Sequence, residues 1–206
     1  AIMADFVQQK FVAAGISNVT QFHLNVLLNY PQSPPHVSLV SSRNNTLLVQ
    51  ANLSEEVLEM DDTSDVIWRN HTFHGYSPSG TVSRAPLVYA NYGRPQDFEA
   101  LRKAGVSVQG CVVIVRYGKC FRGLKVMNAQ ERGALAVIIY SDPANDGFQQ
   151  GTVYPNGPWR PSFGVQRGSV QFNSKCAGDP LRADSRYGEK TVNDICGVSS
   201  YTELIP

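Results

Sequence analysis

No apolar run of about eighteen residues occurs in the 206-residue chain, so no segment reads as a transmembrane helix. Charge of neither sign dominates. Eighteen Lys and Arg against 17 Asp and Glu leave a net charge of +1, which gives no electrostatic case for a nucleic-acid or other polyanionic partner. Cysteine is scarce, at four, and none falls in a Cys-x-x-Cys pair, which excludes zinc-ribbon and thioredoxin-like readings. A Gly-x-Ser-x-Gly elbow, a His-Glu-x-x-His helix and the Walker and Rossmann glycine loops are all missing. His71 and His74 have ligand-like spacing, but no acidic or cysteine pattern completes a metal site, and both are expected to be polar residues of an exposed segment. Glu55-Glu56 and Asp61-Asp62 read as a solvated acidic connector. The motifs therefore give this chain no self-contained catalytic machinery.

What is present describes a globular protein, with 42% hydrophobic and 17% charged residues. Four Asn-x-Ser/Thr sequons begin at Asn18, Asn44, Asn52 and Asn70, all in the first 70 residues of the chain. Their clustering points to a glycosylated, solvent-exposed face and to a secreted or lumenal protein, or the extracellular face of a membrane. The N-terminus carries charge early and lacks an apolar signal core, so it reads as a mature or trimmed end. Cys111 and Cys120 flank a strand-like run that would hold them roughly 30 Å apart, too far to pair. Cys176 and Cys196 flank a polar loop, and a disulfide there would contribute about 3 kcal/mol. Cys120 is left as a buried free thiol or as the partner of a cysteine elsewhere.

Periodicity organises the chain into two unlike parts. Ile2, Met3, Phe6, Val7, Phe11 and Val12 fall near helical spacing, with Gly15 as a stop. Phe22, Leu24, Val26 and Leu28 then alternate as in a half-buried strand, and "HVSLVS" and "TLLVQA" follow as strands around an Arg43-Asn44-Asn45 turn. Residues 53–84 are polar and rich in turn formers. From Pro86 the texture becomes strand, helix, strand, helix, strand: "PLVYANY", "PQDFEALRKAG", "CVVIVRY", "FRGLKVMNAQERG" and "ALAVIIYSDP". Continuous apolar strands of this kind predict an α/β layer with buried strands.

One position resists the bland reading. Arg122 falls in the first turn of a helix opened by "GKCFRG", where a cation opposes the macrodipole at a cost of about 0.3–1 kcal/mol unless an anion offsets it. Beside free helix amides, a guanidinium is suited to grip a carboxylate. The alternative is an arginine whose head turns away into water.

The segments "FVQQKFVAAGISNVTQFHLNVLLNYP", "YSPSGTVSRAPLVYANYGRPQDFEAL", "RYGKCFRGLKVMNAQERGALAVIIYSDPA" and "YPNGPWRPSFGVQRGS" with "AGDPL" resemble, in order, the glutamate carboxypeptidase II family. That family includes transferrin receptor and ileal dipeptidase-like proteins. The resemblance implies a mixed α/β (α+β) fold: residues 1–55 as the start of a zinc-peptidase domain, and 56–206 as an incomplete protease-associated (apical) domain inserted in it. It implies a secreted or cell-surface zinc exopeptidase, with the zinc ligands, catalytic base and dimerisation helices in a segment outside this chain. Such a protein would have a peptide substrate, a companion C-terminal segment and a homodimeric assembly. Phe121 and Arg122, with Lys119 nearby, match the residues that reach the substrate, the arginine binding its terminal carboxylate. Ser169 stands where glutamate-specific members carry asparagine, and a serine cannot supply the same amide donor and acceptor. A broader peptidase specificity is therefore expected. The resemblance also implies a calcium site through backbone carbonyls of Arg182 to Ser185. A non-enzymatic, receptor-like relative and a protease-associated protein-binding module are the competing readings. The apolar end at Pro206 reads as a proteolytic nick with the companion segment still bound, or as an artificial boundary.

Overall fold

The computed structural model describes residues 2–23 and 29–172. α1 (Ile2–Ala13) follows the expected helical spacing, and its C-terminus turns at Gly15, whose φ of 90° suits glycine. Gln8 and Gln21 clasp α1 to the segment after it: Gln8 Nε2 donates to the Val19 carbonyl at 3.0 Å, and Gln21 Nε2 to Gln8 Oε1 at 2.8 Å. None of its residues is buried; Phe6 and Phe11 are each about half exposed. The strand expected around residues 22–28 falls mainly on residues 24–28, outside the described residues. β1 (Ser38–Val40) and β2 (Leu47–Gln50) form the expected antiparallel hairpin, and its apolar side chains Leu39, Leu47, Leu48 and Val49 are also exposed.

The second part builds the core. β4 (Leu87–Tyr89), β5 (Val112–Arg116) and β6 (Ala136–Tyr140) form a parallel sheet in that order, joined by α2 (Pro95–Lys103) and α3 (Arg122–Gln130). Parallel neighbours with helical crossovers of one hand place both helices on the same face of the sheet. There Val113 and Val115 are fully buried against Phe98 of α2 and Ala129 of α3, with Ala90 and Val108 completing the core. Each buried valine or phenylalanine of this core contributes about 1.5–3 kcal/mol by burial. α2 starts cleanly because Pro95 occupies its first turn and the Asp97 carboxylate accepts from the Arg94 amide at 3.0 Å.

The strands are less buried than their unbroken apolar sequence implies. β5 alternates between buried and half-buried residues and β6 is half-buried throughout, because among the described residues the helices cover one face of the sheet only. The polar stretch before β4 is not a free connector. It contains a 3-10 turn (Ile67–Asn70) and β3 (His74–Gly75), and β3 pairs in parallel with β7 (Gly168–Ser169).

Candidate functional site: the Arg122 platform

The loop from β5 to α3 leaves the C-terminal edge of the parallel sheet, the edge at which open α/β sheets bind ligands. Gly118 and Lys119 both adopt positive φ, 97° and 66°, which turns the chain sharply so that Phe121 becomes the extended residue before α3. Among the described residues, no side chain caps this helix. Lys125, one turn in, is fully buried, and its Nζ donates to the Tyr92 carbonyl at 2.7 Å and the Gly118 carbonyl at 2.8 Å. The lysine thus pins the β5–α3 loop to the β4–α2 loop from beneath. Burial pushes its pKa down, while the neighbouring Cys120 thiol acts in the opposite direction.

The same edge is braced on its other side by Arg116, whose Nη1 donates to Asp142 at 3.1 Å, while Nε and Nη2 donate to Asn91 Oδ1. Its guanidinium lies 4.1 Å from the centroid of Tyr92. Arg94, Lys119 and Lys125 also approach that ring, at 5.3, 5.9 and 5.7 Å. Asp97 offsets Arg94; burial raises its pKa, but hydrogen bonds from the Arg94 side chain and amide and from Asn91 outweigh it and hold the carboxyl below its ordinary value.

Arg122 does not turn away into water. Its Nε donates to the Ser169 carbonyl at 3.1 Å, and it makes no ion pair with any described residue. Two glycines make this crossing possible. A Cβ on Gly168 would stand 2.5 Å from Arg122 Nε and 2.6 Å from its Cζ. One on Gly123 would stand 2.5 Å from the Phe121 ring and 2.8 Å from the Val170 carbonyl. Phe121, 38% exposed, meets Phe172 edge-on at 5.4 Å, and the Arg122 guanidinium lies 5.8 Å from the Phe121 ring centroid.

The structure therefore brings Phe121, Arg122 and Ser169 together, although Ser169 meets Arg122 through its backbone. The Ser169 hydroxyl accepts from the Gln171 amide at 3.0 Å. Lys119 leans toward Tyr92 instead. Arg182 and Ser185, and the Cys176–Cys196 pair, lie outside the described residues. Cys111 and Cys120 are free thiols, Cys111 buried and Cys120 half-buried. Asn18, Asn44, Asn52 and Asn70 are all exposed.

Two expectations from the sequence are corrected. His71 and His74 are half-buried rather than exposed, because β3 is covered by β7 and by Tyr117. The acidic connector is also partly engaged. Glu55 accepts from Arg167 at 2.7 Å and from the Val165 amide at 2.8 Å, and Asp61 accepts from Tyr154 at 2.9 Å. These contacts latch the connector to the loop carrying "GVQRG", so Arg167 serves to hold β7 in place. A cleft of about 380 Å³ lies between connector and loop, lined by Glu56, Asp61, Tyr154, Trp159 and Phe163, and does not include Arg122. Among the described residues, no group of three His, Cys, Asp or Glu side chains is arranged to hold a metal ion.

A parallel α/β layer whose C-terminal edge carries the Arg122 loop is a protease-associated domain: residues 82–171 match the PA domain family. The wider chain is 45% identical over 183 residues to a probable glutamate carboxypeptidase of Arthroderma benhamiae, covering 86% of this chain and 24% of that protein. It is 35% identical over 186 residues to a glutamate carboxypeptidase 2 homolog of Caenorhabditis briggsae, covering 85% and 23%. With the aminopeptidase NAALADL1 of Rattus norvegicus it shares 33% identity over 177 residues, covering 84% and 23%. The chain belongs to the glutamate carboxypeptidase II–transferrin receptor family, and spans about a quarter of the length of these relatives.

Proposed function

We propose that this chain forms the substrate-carboxylate side of a zinc-dependent exopeptidase, with Arg122 as the clamp. The observation that carries the reading is a guanidinium fixed at one nitrogen by the Ser169 carbonyl, at the mouth of an uncapped helix, with no carboxylate among the described residues to neutralise it. A partly desolvated arginine beside free helix amides favours an anion, and the relatives are named as glutamate carboxypeptidases and an aminopeptidase. Phe121 supplies an apolar wall next to the clamp. Ser169, with its hydroxyl already accepting from Gln171, offers a shorter polar contact than an amide, which fits a broad preference at the substrate's C-terminal residue.

Zinc ligands and the catalytic base belong, in this reading, to a companion segment of the same polypeptide that also pairs the protein into a homodimer. The exposed apolar sides of α1 and of the β1–β2 hairpin are the surfaces it would cover. Glycans at the four exposed sequons would suit a secreted or lumenal setting. The test uses the full-length protein and a short peptide with either a free or an amidated C-terminus. The free-acid peptide is expected to be hydrolysed, the amide poorly, and a chelator to stop the reaction until zinc is restored. Equal hydrolysis of both peptides contradicts the clamp, and no hydrolysis of either with zinc present supports a receptor-like relative instead.

A further inference from the structure

β3 is two residues long, yet His74 is held from several sides. It pairs with Gly168 across the β3–β7 ladder, and its Nε2 lies 3.1 Å from the Tyr117 hydroxyl at the end of β5. That hydroxyl gives its one proton to the Gln166 carbonyl at 2.6 Å. With the proton so committed, the 3.1 Å contact is a hydrogen bond only if the imidazole donates, which fixes the neutral ring as the Nε2–H tautomer. Nδ1 is then a bare lone pair, and it is buried without a hydrogen-bond partner among the described residues. Gly168 separates this ring from the clamp, since its Cα faces the Arg122 guanidinium with no room for a methyl group between them.

We propose that His74 positions Arg122 and makes its grip on a substrate carboxylate acid-sensitive. This rests on the carboxylate-binding reading above. Neutral His74 donates to Tyr117, Tyr117 holds Gln166, and the two together keep Gly168 and Ser169 under the guanidinium. A second proton enters at Nδ1 and sets a full positive charge close to Arg122. The groups facing His74 are the Tyr117 hydroxyl from the residue after β5, Arg122 from α3 and the Gly168 backbone from β7, with Arg160 acting on Tyr117; no carboxylate is among those that shift it. Burial first, and Arg122 second, hold the imidazole below its ordinary value of 6.5, offset in part by the Gly168 backbone. The folded chain therefore takes up this proton later than the unfolded chain as pH falls. Stability from His74 is complete above 6.5 and is lost as the pH drops through the folded value.

In the experiment, the full-length protein is assayed on the free-acid peptide and on its amide across the acidic to neutral range, and the ratio of the two kcat/KM values is followed. The ratio cancels every titration the two substrates share. In the unmutated protein it is expected to fall by about tenfold as His74 protonates, the scale of one like charge placed nearby at the effective dielectric of a partly buried site. His74→Gln, which keeps an N–H donor for Tyr117 but cannot ionise, is expected to retain the neutral-pH ratio and lose the acid limb. His74→Ala is expected to lower the ratio at neutral pH and to lose the acid limb as well. An intact acid limb in His74→Gln overturns the proposal while leaving the clamp standing, as does an unchanged ratio in His74→Ala. A ratio near one in the unmutated protein at neutral pH overturns the clamp itself, and the proposal with it.

Discussion

Replacing Lys125 with methionine tests whether a buried ammonium holds the Arg122 loop. The two side chains have similar length and volume, so the core opens no large cavity. What disappears is the donor to two backbone carbonyls, Tyr92 at 2.7 Å and Gly118 at 2.8 Å. A buried ion pair replaced by hydrophobic residues is often neutral, because both charges leave together. Here the partners are main-chain oxygens that stay behind. The Tyr92 carbonyl, in a buried residue, is left without its strong donor at about 1–3 kcal/mol, and the Gly118 carbonyl, nearer the surface, loses about 1 kcal/mol. Relief of the lysine's own desolvation offsets part of this, so the net loss is expected at about 2–3 kcal/mol. For a cooperative unit of protease-associated-domain size, that lowers Tm by roughly 10–20 °C. Chemical denaturation followed by circular dichroism, with a thermal scan beside it, measures both. A Lys125→Met protein within about 0.5 kcal/mol of the unmutated chain would refute the reasoning, since the carbonyls would then need no ammonium.

Two further outcomes follow from the same geometry. Gly168→Ala puts a methyl group onto Arg122 Nε and Cζ; the side chain is expected to swing off Ser169, lowering the free-acid to amide ratio of kcat/KM values about tenfold while Tm falls only a few degrees, and an unchanged ratio would show that the contact does not aim the guanidinium. Tyr140, its pKa pushed up to about 12 by burial and by its hydrogen bond with Tyr89, is expected to be the tyrosinate absent from the alkaline end of an ultraviolet titration of Tyr140→Phe; loss of a group titrating near the ordinary 10.0 would contradict that environment.

The elements most legible in the sequence are those whose burial is periodic. α2 and β5 announce themselves because Phe98 and Leu101, and Val113 and Val115, recur at the spacing their own element requires, whereas β6, half-buried throughout, is legible only as an unbroken apolar run. β3 and β7 are invisible to periodicity: two residues have no period, and their pairing joins positions some ninety residues apart. For that reason His74, which the sequence suggests is an exposed polar residue, is half-buried in the structure beside the β3–β7 pairing. Arg122 was legible as an electrostatic oddity, and the resemblance gave it a role, but neither indicated that Gly168 must be glycine to admit it. Lys125 left a signal that was available: it shares a helix face with Asn128 and Ala129, both buried, where a lysine has no reason to sit unless its ammonium is bonded. The latch of Glu55 on Arg167 left none, because a charged pair so distant in sequence looks like two solvated residues until the fold joins them.

The most direct test of the account is Arg122→Ala in the full-length protein, assayed on a free-acid peptide and its amide. Loss of a partly buried charge partner predicts that kcat/KM for the free acid falls by roughly 30-fold or more, on the order of 2 kcal/mol or above, with little change for the amide. An equal fall for both peptides, or none for either, would contradict the assignment of Arg122 as the carboxylate clamp.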